Sequence, residues 1–393
     1  MLNRRLLRIK VMQTIYAYKQ AEQSDYHLAL DLIQSTFAPD LNSMQAPDYK
    51  RLEGNKKMAG LLFEEHFQRQ QPVNDEDATE EVNKATTEAI NYYHTQLTKD
   101  RQFLGKQMVS AVERIYDTYL WLLILLVELS DYVQQQEEER MQRILKPQPA
   151  AVRELKFREN KVADLLRKNT TLEKEVVRRG IGWGADREFI KKIYREVIST
   201  DTTYQQYQQL DTADFEEDKK IILYILKSIL FKHELAVSFF SETDISWAEN
   251  ADILKGMLTK TVKALEVNNT DSLHLLELSP NWEDDKEFMK DLYKHTLDND
   301  ESYEQIISGK SKNWDIERLA MLDRIIIKMA IAEMLHFPSI PVKVTINEYI
   351  ELSKEYSTPK SKQFVNGILD AAVAELTGKG LLKKSGRGLI DNK

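Results

Sequence analysis

Hydrophobic positions recur with a helical period along most of this chain, and no stretch sustains the alternation of a β-strand. One apolar stripe near the amino terminus consists of Leu7, Val11, Ile15 and Tyr18. In the first part of the chain the spacing predicts helices over about 3–20, 25–37, 58–69, 83–100 and 103–136. Only 13 glycines and 9 prolines interrupt 393 residues. We therefore predict an all-α fold built from long helices arranged in bundles.

The pattern near the carboxyl terminus predicts two helices separated by a tight joint. Ser357-Thr358-Pro359 should end the first, because the residue before a proline avoids helical angles. Ser361 is the expected cap of the second helix. Two features exceed what packing requires: a polar pair, Asn347-Glu348, and Gly367 in mid-helix, where glycine costs ~1 kcal/mol against alanine. Close approach of a neighbouring helix is one explanation for Gly367.

A partial repeat lies in the second half of the chain. Residues 186–206 and 285–305 share eight of 21 positions at an offset of 99, and each segment precedes an apolar helix, 219–231 or 318–337. We hypothesise that one helical unit was duplicated. Convergent amphipathic patterning is the alternative, and the matched Phe, Tyr and Asp positions disfavour it.

Polar and proline-containing stretches suggest how the chain is divided. The run Q-Q-Q-E-E-E-R at 134–140 and the prolines at 147 and 149 predict a boundary. We expect an amino-terminal helical region over 1–140, a charged helical linker over 141–184 and a helical domain over 185–393. The glycine string at 180–184 lacks the preceding strand that a dinucleotide-binding loop needs.

Charge is distributed unevenly in a chain whose net charge is −8. The first 19 residues carry five Lys or Arg and no acid, and residues 353–393 carry eight bases and four acids. The two ends are thus basic and the middle is acidic. Because phosphate binding depends on local potential rather than on net charge, the ends are candidates for nucleic-acid contact. Two solvated tails are the alternative.

The sequence offers no catalytic, metal or cofactor site. There are no cysteines, which excludes disulfides and thiolate ligands, and the seven histidines are scattered. Neither a phosphate-binding Walker loop nor a nucleophile elbow occurs. No signal-peptide pattern is found, and the longest apolar run, 119–127, is too short to cross ~30 Å of hydrocarbon. We expect a cytoplasmic protein that is not an enzyme and does not contact membranes.

The stretch 340–370 reads I-P at 340–341, I-N-E at 346–348, I-E-L-S-K at 350–354, S at 361 and F-V-N-G-I-L-D at 364–370. This string resembles the carboxyl-terminal signature of the NusB family, transcription antitermination factors that bind RNA. The run M-Q-T-I-Y at 12–16 is similar to the first helix of that family. The resemblance is weak over most of 40–270. It implies a NusB-like fold in the carboxyl-terminal half, completed by the first helix, together with an extra helical region.

The resemblance also implies binding partners and the residues that contact them. The RNA-binding residues would be Arg4, Arg5, Arg8, Lys360, Ser361, Lys362 and Phe364. Asp323 and Arg324, on a helix starting near Asp315, would contact the ribosomal small-subunit protein that doubles as NusE. With that protein, the chain would bind single-stranded boxA-type RNA of rRNA leader transcripts within the transcription elongation complex. Phe364 could instead belong to the core.

Two alternatives remain open at this stage. The chain could be a helical scaffold without any role in RNA binding. It could also be the RNA-binding module of an rRNA cytosine methyltransferase, but such enzymes need a cofactor domain and cysteine chemistry. The absence of cysteine and of a glycine-rich strand–loop–helix motif disfavours that alternative.

Overall fold

A computed structural model describes residues 2–40, 46–69, 78–143, 156–267, 274–309 and 320–390. Within these ranges the chain forms fifteen α-helices and no β-strand, which confirms the all-α prediction. The helices are α1 (Arg4–Thr36), α2 (Tyr49–Arg69), α3 (Glu80–Arg143), α4 (Lys161–Lys168), α5 (Thr170–Arg179), α6 (Arg187–Ile193), α7 (Thr202–Gln208), α8 (Phe215–Tyr224), α9 (Glu234–Thr243), α10 (Trp247–Ala264), α11 (Trp282–Asp298), α12 (Asp300–Ser308), α13 (Met321–His336), α14 (Val342–Tyr356) and α15 (Ser361–Gly378). None of the helices in these ranges is long and apolar enough to cross a lipid bilayer.

Two predicted helix breaks do not occur. The segments expected over 3–20 and 25–37 form the single helix α1, and those over 83–100 and 103–136 form α3, which is 64 residues long. Neither junction contains proline, and polar residues alone do not end a helix whose two halves are both packed. Gly105 lies within α3 against the ring of Tyr293, and a Cβ there would come within 3.3 Å of Cε1, so the close contact favours glycine at this position.

The helices group into two compact units. We call Met1–Leu6 with Ser110–Asp285 the middle unit, and Leu7–Val109 with Lys286–Lys393 the signature unit. The functional division predicted over 1–140, 141–184 and 185–393 stays a prediction, because these units group helices by contact and not by role. The prolines at 147 and 149, and the predicted helix start near Asp315, lie outside the described residues.

The signature unit contains an apolar cluster formed by α1, α2 and α3. Its buried members are Ala29, Ile33, Phe37, Ala59, Leu62, Phe63, Val82, Ala85, Ala89 and Tyr93. In the same unit α13 packs against α14 and α15, and every residue of α13 from Ile325 to Met334 is buried. Gly367 is exposed on α15, and a Cβ there would have no atom within 4 Å. Close helix packing therefore does not explain this glycine.

The core of the middle unit combines the apolar part of α3 with a set of stacked aromatic rings. Leu122, Leu123 and Leu126 are fully buried, as expected for a core helix. Trp121 and Trp183 stack with ring centroids 3.9 Å apart and planes 4° apart. Rings from α6, α9 and α10 extend this set. The unit is thus held by aromatic contacts that the helical period alone does not reveal.

The two segments of the sequence repeat fold into similar orders of helices. The first gives α6, which continues as a π-helical turn over Tyr194–Ile198, and then the short α7; the second gives α11 and the short α12. The last helices that follow each segment, α10 and α15, both have 18 residues. This agreement favours the duplication hypothesis, which superposition of 186–231 on 285–337 would test.

Candidate nucleic-acid interface

A buried ion pair joins the first helix to the signature helices within the signature unit. Arg8 is 3% exposed, and its Nε and Nη2 donate to the two carboxylate oxygens of Glu333 at 2.7 and 2.8 Å. Glu333 also accepts from the hydroxyls of Thr345, at 2.8 Å, and Tyr349, at 3.2 Å. The carboxylate thus has four donors, which is the condition under which a buried charge is tolerated.

The electrostatics of this network keep Arg8 charged. Burial by itself lowers the pKa of Arg8, but the hydrogen bond and the negative charge of Glu333 outweigh it and raise that pKa above its ordinary value. Burial, followed by the charge of Glu333, raises the pKa of Tyr349 well above its ordinary value. Glu348 of the I-N-E signature lies 3.6 Å from Nη1 of Arg8 and adds a second carboxylate.

The burial of Arg8 bears on one implication of the family resemblance. Arg8 was expected to present its guanidinium to RNA together with Arg4 and Arg5. Its side chain is instead buried, and the bidentate pair with Glu333 would have to open before the guanidinium could reach a phosphate. A role for Arg8 in direct RNA contact stays a prediction, and its evident structural role is to fix α1 on α13.

Arg4 and Arg5 lie in the first turn of α1 and belong to the middle unit. Both are exposed, and the Nε of Arg4, whose side chain is 45% exposed, lies 3.9 Å from the carboxylate of Asp285. The side chain of Asn3 caps the helix by accepting from the backbone N–H of Leu6 at 2.8 Å. Positive charge at a helix amino terminus costs roughly 0.3–1 kcal/mol per charge, so a nearby anion would relieve it.

The start of α15, in the signature unit, presents two cations on either side of a buried serine. Lys360 and Lys362 are exposed, whereas Ser361 is 4% exposed and donates to the carboxylate of Asp323 at 2.7 Å. Ser361 is the first residue of α15 and not its cap, since its hydroxyl is committed to Asp323. Phe364 is half-buried, so both a core role and a stacking role remain open to it.

Asp323 and Arg324, expected to contact a protein partner, differ in accessibility. Asp323 is 4% exposed, and its second carboxylate oxygen has no hydrogen-bond partner among the described residues. Arg324 is about one-third exposed and lies 3.8 Å from Glu304. The carboxylate of Asp323 therefore anchors Ser361, and contact of Asp323 with a partner stays a prediction.

Sequence reasoning missed the residues that surround Arg8. Glu333 is the single acid in the apolar run I-A-E-M-L at 331–335, and a lone acid on a buried helix signals a buried partner. The polar pair Asn347-Glu348 is unusual in the sequence, but the sequence does not show which charge Glu348 approaches. The separation of 325 residues between Arg8 and Glu333 explains why.

Comparison with known proteins identifies the class of this chain. The NusB family profile matches residues 250–374. The transcription antitermination protein NusB of Salinibacter ruber is 42% identical over 136 residues, which are 33% of this chain and 85% of that protein. The NusB protein of Chloroherpeton thalassium is 45% identical over 106 residues, 27% of this chain and 50% of that protein.

A solved structure of T. maritima NusB aligns with this chain at 26% sequence identity and a TM-score of 0.23, and the alignment covers 40% of this chain and 90% of the T. maritima chain. The extent of the sequence match to the Salinibacter ruber protein is decisive: the chain belongs to the NusB family. The matched relatives carry the name of antitermination proteins and not of enzymes. About two-thirds of the present chain lies outside the match to the Salinibacter ruber protein.

Proposed function

We propose that this chain is a transcription antitermination factor that binds single-stranded boxA-type RNA of rRNA leader transcripts together with the ribosomal protein that acts as NusE. Membership of the NusB family supports the transcriptional role. The observation that carries the RNA role is the presence of exposed cations at the starts of two helices, Arg4 and Arg5 on α1 and Lys360 and Lys362 on α15. Of these two helix starts, that of α15 lies inside the family profile match at 250–374.

The four cations would make different contacts with the RNA. Arg4 and Arg5 carry planar guanidinium groups that bind phosphate with two hydrogen bonds and stack on unpaired bases. Lys360 and Lys362 would act as point charges toward the phosphates. Phe364 is half-buried, and its ring would stack on an unpaired base. Arg8 and Ser361 would act indirectly, by holding α1 and α15 in place.

The protein partner would dock on the α13 side of the signature unit. Arg324 offers the accessible charge there, and Asp323 positions the start of α15 through Ser361. This arrangement would let a partner influence RNA binding, because the partner surface and Lys360 are connected through one buried hydrogen bond. We place this activity in the cytoplasm, within the elongation complex, and assign the chain no catalytic step or cofactor.

Binding of a labelled rRNA leader fragment tests the RNA assignment. Fluorescence anisotropy is measured for the unchanged chain, for Arg4→Ala/Arg5→Ala and for Lys360→Ala/Lys362→Ala, each with and without the ribosomal partner. Each double substitution should weaken RNA binding. It should also make the binding constant less dependent on salt, lowering the slope of its logarithm against the logarithm of salt concentration by about 0.7 per lost phosphate contact.

The matched control is Lys50→Ala/Lys57→Ala, which removes the same charge from exposed positions on α2. A control that weakens binding as much as either test pair would show a general charge effect and reject the assigned sites. Helicity measured by circular dichroism should be the same for all four proteins. Unaltered affinity in both test pairs would reject the RNA role of these residues.

A further inference from the structure

The middle unit contains a cavity that the proposed antitermination function does not use. Its volume is about 330 Å³, near the lower end of the ~300–1,000 Å³ typical of small-molecule sites. Three aromatic residues line it: Trp121 of α3, Phe240 of α9 and Trp247 of α10. Trp121 is half-buried, whereas Phe240 and Trp247 are 1% and 4% exposed. The cavity therefore has one accessible ring and a rigid aromatic wall.

The rings around the cavity are held by one another and by the protein. Trp121 is backed by Trp183, at a centroid distance of 3.9 Å, and Trp183 donates its indole N–H to the backbone oxygen of Trp121 at 2.8 Å. Phe240 lies 4.6 Å from Trp247. Such a wall is preorganised for a planar aromatic ligand, because stacking requires no rearrangement of the rings.

Three charged residues line the cavity, the acids Asp117 and Asp244 and the base Arg114, and the two acids already have hydrogen-bond partners. Asp117 is already paired with Arg179 at 2.6 Å, and Asp244 accepts from the backbone N–H of Ser246 at 2.9 Å. Arg114 also lines the cavity; it is exposed, and no acid among the described residues pairs with it. Its guanidinium is thus available for an anion, and the best match to a guanidinium is phosphate or carboxylate.

We propose that this cavity binds a nucleotide, with the base against Trp121 and the phosphate at Arg114. A planar heterocycle uses the aromatic wall, and a phosphate uses the unpaired cation. The nucleotide could be free or could be one unit of a single-stranded RNA, since both present the same base and phosphate. The inference rests on the cavity alone and does not depend on RNA binding by Arg4, Arg5, Lys360 or Lys362.

Gly182 gives a direct way to fill the cavity. It lines the cavity, a Cβ there would have no atom within 4 Å, and its φ lies outside the left-handed region. Gly182→Leu should therefore occupy the site without backbone strain. Gly184→Leu is the matched control: Gly184 is exposed, also has free space at its Cβ, and does not line the cavity.

The test is a titration of the full chain with AMP and GMP, followed by tryptophan fluorescence and calorimetry. We expect saturable binding with a dissociation constant of about 1 mM or tighter. Gly182→Leu should weaken it at least about tenfold, and Gly184→Leu should leave it unchanged. Arg114→Gln should weaken the binding of AMP about tenfold but leave the binding of adenosine unchanged. Arg187→Gln, which changes an exposed arginine outside the cavity, should alter the binding of neither ligand.

An oligoadenylate arm distinguishes the two sources of nucleotide. An oligoadenylate that binds at least about tenfold tighter than AMP, with this advantage lost in Gly182→Leu, identifies single-stranded RNA as the source; equal affinity identifies the free nucleotide. The proposal is overturned if neither AMP nor GMP gives a saturable signal up to about 10 mM, ten times the weakest expected dissociation constant. It is also overturned if Gly182→Leu binds as tightly as Gly184→Leu.

Discussion

Removing the charge of Arg8 should destabilise the fold more than removing any exposed arginine. Arg8→Met keeps the aliphatic stem but leaves the fully buried Glu333 with only the hydroxyls of Thr345 and Tyr349 as donors. Breaking a buried ion pair from one side costs about 3–5 kcal/mol, because an uncompensated charge remains. We expect a loss of that size in the free energy of unfolding, measured by urea denaturation with circular dichroism.

A second variant separates the lost ion pair from lost packing. Arg8→Met/Glu333→Leu removes both charges, so it should be more stable than Arg8→Met alone, although Thr345 and Tyr349 lose their acceptor. Arg5→Met, at an exposed position on the same helix, should change stability by less than ~0.5 kcal/mol. Two results would refute the structural role assigned to Arg8. One is a loss below ~1 kcal/mol in the free energy of unfolding of Arg8→Met, and the other is a double variant that is less stable than Arg8→Met.

Three further changes test other parts of the signature unit. Gly388→Ala should destabilise by ~1–3 kcal/mol in thermal unfolding, because its Cβ would overlap the carbonyl oxygen of Pro338; equal stability would contradict this packing. Gly367→Ala should stabilise by up to ~1 kcal/mol, since its Cβ has free space, and a loss would show strain at that position. Burial, and then the charge of stacked His295, lowers the pKa of His336. Stability should therefore fall as the pH drops through the ordinary histidine pKa of ~6.5, and His336→Gln should reduce this fall in urea titrations at several pH values.

The structure shows which parts of the fold follow from local sequence and which do not. Helix α14 ends at Tyr356, as the Ser357-Thr358-Pro359 joint predicts, and the apolar run at 119–127 is a core helix. These features depend on neighbours in sequence. The partner of Arg8 is 325 residues away, and periodicity carries no information about such pairs.

At the candidate site, too, local features follow from the sequence and distant contacts do not. Exposure of Lys360 and Lys362 agrees with their polar position at the start of α15. Ser361 is a residue type that commonly caps helices, but its hydroxyl donates a hydrogen bond to Asp323, which is distant in sequence. Sequence also could not show that the glycine string at 180–184 contributes to an aromatic cavity, because that cavity needs α3, α9 and α10 around it.

Cross-linking of the RNA to the protein tests the central claim most directly. A leader fragment carrying photoreactive uridines is irradiated in complex with the full chain, and the cross-linked peptides are identified by mass spectrometry. The account predicts cross-linked peptides that contain residues 4–5 and residues 360–364. If peptides from both helix starts are absent while others, such as those of α2, are cross-linked, neither helix start contacts the RNA.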